Sequence, residues 1–162
     1  FPFPAGKDQV RALKSLQRAV VFAPPLDALD QLEQFPTHQV VATGYTAGVE
    51  STGKTPDHPQ YGITYSGVPV QRGLLSTIAA DPELFPLGTL LYIPDYGYGI
   101  VADTGSAIQG DKIDLYYETV DDVYREWGMR TVDVYVLRKG EGHLSLEMME
   151  ELTRILTAHS DG

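Results

Sequence analysis

The chain has 162 residues, 43% of them hydrophobic and 21% charged. That profile fits one folded soluble domain, or one domain with an arm, and excludes general disorder and a membrane-spanning helix. Twelve Lys and Arg against 22 Asp and Glu leave a formal charge of −10, which repels phosphate backbones and anionic lipid, so no nucleic-acid partner is expected.

Residues 8–22 have the pattern of an amphipathic helix: Asp8 as cap, then Val10, Leu13, Leu16, Val20 and Val21 on one face. Pro24-Pro25 closes it, and Leu26, Leu29 and Leu32 mark a second short helix before Pro36. This arm, residues 1–38, carries four acids and four bases. A single short helix cannot bury an apolar stripe alone, so the arm is expected to dock on its own domain or to join two chains as a homodimer. The chain starts at Phe1 rather than Met, and is read as a mature or truncated form whose signal or anchor is absent.

From Gln39 the pattern becomes one of strands. Gln39–Thr46, Thr89–Ile93, Gly99–Ala102, Ile113–Tyr117 and Thr131–Leu137 are rich in β-branched and aromatic residues, with Gly, Pro, Asp and Ser between them. That is the spacing of a small barrel or sandwich, so residues 39–138 are expected to form a mainly β domain with peripheral helices. Thr119 with Asp122 has the form of a capping box for a helix ending at Gly128. Ser145 caps a last helix, within residues 139–162, that places Leu146, Met149, Leu152, Ile155 and Leu156 on one side.

The dense polar constellation of the β region is acidic. Residues 40–137 hold 13 acids against five bases, and three aspartates sit among small or apolar neighbours: Asp81 in AADP, Asp103 in VADTG and Asp114 in KIDLY. In a strand the neighbours Ile113 and Leu115 point away from Asp114, which therefore faces solvent or a cleft. The segment Ala102-Asp103-Thr104-Gly105 also matches the short signature of aspartic proteases, which would require a dimer sharing a proton between two carboxylates. The second element of that family, an apolar pair followed by Gly, is absent, since Arg138-Lys139 follows Val136-Leu137. The four histidines lack the spacing of a metal site, and no cysteine is present for thiol or Cys-zinc chemistry. No cofactor is implied.

The ordered blocks VVATGYTAGVESTGKTP, AADPELFPLGTLLYIP and GIVADTGSAIQGDKIDLYYETVDD, within residues 40–137, resemble the three-aspartate (3D) domain of YuiC-type stationary-phase survival proteins, a counterpart of resuscitation-promoting factors. The last block is also similar to the end of membrane-bound lytic transglycosylase A. The resemblance implies a double-psi β-barrel that cleaves the glycan strand of peptidoglycan outside the cytoplasm, at the wall or secreted. It places the family's three aspartates on Asp81, Asp103 and Asp114, with Asp114 as acid/base. Glu50 and Lys54 fall on polar positions around the family's cleft.

The chemistry agrees with the residue types. A lytic transglycosylase needs no attacking water, because the muramic-acid 6-hydroxyl attacks its own anomeric carbon. One carboxyl group then serves as acid and base, provided its pKa is raised so that it starts neutral. Apolar surroundings and a nearby carboxylate such as Asp103 push in that direction. Thr104 and Gly105 either offer backbone donors near the charge or form a turn. All ten tyrosines lie in residues 39–138, and eight of them, Tyr45, Tyr61, Tyr65, Tyr92, Tyr96, Tyr98, Tyr116 and Tyr117, either stack on sugars or pack the barrel. A non-catalytic, expansin-like glycan-binding barrel is the alternative.

Overall fold

The computed structural model describes residues 32–48, 52 and 54–160. The helix expected over residues 8–22, the Pro24-Pro25 joint, the proposed joining of two chains through them, and Glu50 lie outside the described residues.

Six strands close into a barrel: β1 (Thr37–Tyr45), β2 (Leu75–Ala80), β3 (Leu90–Ile93), β4 (Gly97–Asp103), β5 (Lys112–Tyr116) and β6 (Arg130–Arg138). Their order around the barrel is β1-β5-β2-β4-β3-β6. Two neighbouring pairs, β1/β5 and β2/β4, run parallel and the other four antiparallel. The expected mainly β barrel is therefore present. Five of its strands lie where β-branched and aromatic runs place them, within two residues at either end.

The sixth, β2, has the sequence LSTIAA and is buried at every position. It lacks the alternation that marks a half-exposed strand, because one face enters the barrel interior while on the other Leu75 packs with the C-terminal helix and Ala79 with Tyr45 and Tyr116. Its inward side chains Ile78 and Ala80 join Val40, Ala42, Leu91, Ile93, Val101, Ile113, Leu115 and Val134 in the barrel interior.

Thr119 caps a short helix α1 (Val120–Asp122), its hydroxyl accepting the Asp122 N–H at 3.1 Å. The chain continues in a wider π turn, Val123–Trp127, that ends at Gly128. Gly128 takes φ 79°, a left-handed conformation that side chains with a Cβ disfavour. Trp127 anchors this unit by donating its indole N–H to the Ala42 carbonyl at 2.9 Å.

The last helix, α2 (Leu146–Ser160), begins with the Ser145 hydroxyl accepting the Met148 N–H. Met149, Leu152 and Leu156 lie on the barrel exterior against a cluster with Leu32, Leu75, Leu90, Tyr92 and Ile100. Leu146, expected on that face, is instead 54% exposed.

Candidate active site

Two of the three aspartates come together through strand register. On β1/β5 Thr43 pairs with Asp114, on β5/β2 Asp114 pairs with Ala79, and on β2/β4 Ala79 pairs with Asp103. Laterally paired residues share a face of a sheet. Thr43, Asp114, Ala79 and Asp103 therefore form one row across four strands, and two strand spacings, roughly 10 Å between Cα atoms, separate the aspartates.

The row lies outside the barrel interior, which Ile113 and Leu115 enter. Strict alternation from the buried Val101 would send Asp103 inward as well. A register shift between Ile78 and Ala79 inserts one extra residue on β4 and turns Asp103 onto the face of Ala79.

Asp114 is half-buried, and the Thr43 hydroxyl donates to its Oδ1. Burial raises its pKa above the usual 3.8, while the Thr43 hydrogen bond and the charge of Lys112 act in the opposite direction. Desolvation alone supplies the upward shift. Asp103, expected from the sequence to add to it, contributes nothing, since the intervening Ala79 keeps that carboxylate a strand further away. Nor do the flanking Ile113 and Leu115 surround the carboxyl group. On its own face lies a small cluster of Tyr45, Ala47, Ala79 and Tyr116.

Asp103 ends β4 with Oδ1 accepting the backbone N–H groups of Tyr65 and Thr104, both at 2.9 Å. Its carboxylate thus ties the 64–66 segment to the 104–108 turn. In that turn the Gly105 carbonyl accepts the Ile108 N–H at 3.0 Å, and a Cβ on Gly105 would stand 2.9 Å from the Ile108 side chain.

Asp81 lies apart from the row, fully engaged with backbone. Its Oδ1 accepts the Glu83 N–H and its Oδ2 the Gly110 N–H, at 2.9 and 2.8 Å. These two bonds, Gly110 first, hold its pKa below the usual value. Lys54 is half-buried, its backbone N–H bonded to the Thr52 hydroxyl. Among the described residues its ammonium makes no ion pair with Asp103 or Asp114.

A groove opens at each end of the row. Thr43 and Tyr45 border a cavity of about 430 Å³ whose far wall carries Val120, Tyr124 and Met129. Thr104 borders a second, of about 300 Å³, with Tyr65, Pro82 and Pro86. Tyr124 and Tyr65 are 78% and 73% exposed, and so are free to stack on a ligand. Two residues of this arrangement were not singled out from sequence. Thr43 reads as an ordinary β-branched strand residue, and Tyr124 as a polar-face residue of a short helix.

The closed barrel thus carries a partly desolvated aspartic acid in a row across four strands, with a groove beyond each end of that row. Residues 76–138 match the family model described as the 3D domain. Two proteins of Bacillus subtilis (strain 168) are similar to it. YabE, whose name refers to cell wall shaping, is 37% identical over 101 residues, 62% of this chain and 24% of that protein. The cell wall-binding protein YocH is 38% identical over 99 residues, 60% of this chain and 31% of that protein. The chain spans less than a third of the length of either relative.

Among solved structures, MltA from E. coli overlaps 48% of this chain and 28% of its own at 23% identity, with a TM-score of 0.39. A variant of E. coli lytic transglycosylase MltA gives 22% identity, coverage of 48% and 27%, and the same TM-score of 0.39.

Proposed function

We propose that this domain acts on the glycan strand of peptidoglycan outside the cytoplasm and cleaves it as a lytic transglycosylase, with Asp114 as acid and base. The observation that carries the reading is the Asp114 carboxyl group, raised in pKa by burial and held by Thr43, which itself borders a groove. The 3D-domain match and relatives named for the cell wall support the choice of polymer.

In this mechanism the neutral carboxyl group protonates the oxygen of the MurNAc–GlcNAc bond as that bond breaks. The MurNAc 6-hydroxyl then closes on its own anomeric carbon, and its proton returns to the Asp114 carboxylate. The product is a 1,6-anhydro end, no water is consumed, and the acid is regenerated. Thr43, donating to Oδ1, fixes the carboxyl orientation and leaves Oδ2 for the substrate. Asp103, one strand beyond Ala79, offers negative charge to the developing oxocarbenium ion. Lys54, Thr104 and Gly105 are retained as substrate-binding candidates at the cleft edge, Glu50 with them from sequence alone. Asp81 supports the loop that carries Gly110.

The test is digestion of purified peptidoglycan followed by mass spectrometry. Anhydromuramyl products from the wild type and none from Asp114→Asn are expected. Reducing muramic acid ends would assign a hydrolase instead. Retention on peptidoglycan without any cleavage would favour the binding barrel, a reading that the name of YocH also supports.

A further inference from the structure

Thr43, whose hydroxyl holds Asp114, is flanked on β1 by two contacts that fix the neighbouring helical unit. On one side the Trp127 indole N–H bonds to the Ala42 carbonyl at 2.9 Å. On the other, Val123 packs on Gly44, where a Cβ would stand 2.6 Å from Val123 Cγ1. Only glycine admits so close an approach. Val123 and Trp127 are thereby buried, and the π turn that joins them carries Tyr124 outward to 78% exposure. Turns of this kind are frequent at functional sites.

Seven large hydrophobic side chains are exposed among the described residues. Three of them, Val120, Tyr124 and Met129, line the groove that Thr43 borders. Exposed apolar residues scattered singly are ordinary, but three that converge on one cavity mark a binding surface. The cavity, about 430 Å³, falls within the range of small-ligand sites, roughly 300–1,000 Å³. Among the described residues no charged side chain lines it, although the chain carries a charge of −10. The matching occupant is uncharged, with a flat apolar face for the ring and polar groups at its edge toward Thr43. A pyranose ring has that form, and tyrosine suits it because its own ring is apolar and its tip polar.

We propose that this groove seats one uncharged N-acetylhexosamine unit of the glycan, its C–H face stacked on Tyr124 and its acetamido methyl against Val120 and Met129. The inference rests on the glycan reading above and adds to it a subsite and a preference. A muramyl unit would bring its lactyl carboxylate to a lining that offers no cation, so the groove takes GlcNAc and leaves MurNAc outside it. Because Ala42 and Gly44 hold the helical unit on both sides of Thr43, the platform is in place before the sugar arrives, and little ordering is left for binding to offset.

The probe is chitotetraose, a neutral GlcNAc oligomer, titrated into protein carrying ¹³C-labelled methionine methyl groups. The signal of Met129, 71% exposed, is expected to shift, while that of Met149, 2% exposed beneath α2, stays in place. Tyr124→Ala should bind the probe about three- to tenfold more weakly, the range for one aromatic contact, and should raise KM for peptidoglycan with kcat nearly unchanged. Tyr124→Trp, which keeps an aromatic face, should restore both. Leu146→Ala, at an exposed apolar residue outside the groove, should alter neither. A Met129 signal that ignores the probe, or equal affinity and KM in Tyr124→Ala, would overturn the subsite, while cleavage of peptidoglycan by the wild type would still uphold the Asp114 reading. A Met129 signal that follows protein concentration instead of the probe would make this face a self-association surface and overturn the subsite too. Peptidoglycan neither bound nor cleaved by the wild type would overturn the glycan reading, and this inference with it.

Discussion

In the proposed mechanism Asp114 carries opposite signs for activity and stability. Its folded-state pKa lies above the usual value because burial disfavours the charged form. The folded protein then holds the proton more tightly than the unfolded chain does. Asp114 therefore lowers stability at neutral pH, and the loss is recovered as pH falls through its folded pKa. Asp114→Asn keeps an acceptor for the Thr43 hydroxyl and removes the buried charge. We expect it to lower turnover by about 10²–10⁴-fold, the usual contribution of a general acid. The melting temperature at pH 7 should be unchanged or higher, and its advantage over the wild type should shrink on acidification. Wild-type turnover should in turn decline as pH rises through the pKa of Asp114, since the acid form is lost.

At the scale of elements, the positions of the strands were legible, but the way they face each other was not. Thr131–Leu137 and Gln39–Thr46 carry enough β-branched residues to be read as strands, and Thr119 and Gly128 bound their helix as capping chemistry requires. The LSTIAA strand was illegible because burial on both faces erases its period. The inward and outward sense of Asp103 was equally hidden, since it depends on one extra residue opposite Ile78/Ala79. Asp81 reads from sequence as a member of an aspartate trio. Only the bonds to Glu83 and Gly110 show how its carboxylate is used. Asp81→Ala should therefore lower the melting temperature while sparing the rate per folded molecule, a difference that thermal melts and active-fraction-corrected assays resolve. Its depressed pKa places the lost stability above the usual carboxylate pKa, fading as the medium is acidified. On the other side of the barrel, α2 covers Leu75, Leu90 and Tyr92. Leu152, 2% exposed, sits in that contact. Leu152→Ala should cost about 2–5 kcal/mol in chemical denaturation, as for other buried leucines, with little change in turnover below the transition.

For the molecule as a whole, the charge of −10 bears on the proposed encounter with peptidoglycan. Peptidoglycan presents stem-peptide carboxylates, so the two surfaces would repel each other over a Debye length of about 30 Å at 0.01 M salt and about 8 Å at 0.15 M. Co-sedimentation with purified peptidoglycan should accordingly increase with added NaCl over this range. A binding mode led by charge attraction would weaken instead.

The row of Thr43, Ala79, Asp103 and Asp114 draws each member from a different strand, and two of its three pairings are parallel ones that only a long crossover can make. No fragment of the four strands holds the row by itself, so the proposed affinity for a glycan would depend on closure of the barrel. A saccharide that bridges the row then acts as a fastener between strands distant in sequence. At a hundredfold excess over its Kd it should add about 2.7 kcal/mol to unfolding. Amide exchange should slow on all four strands at once, including β2, which holds only the alanine between the two acids.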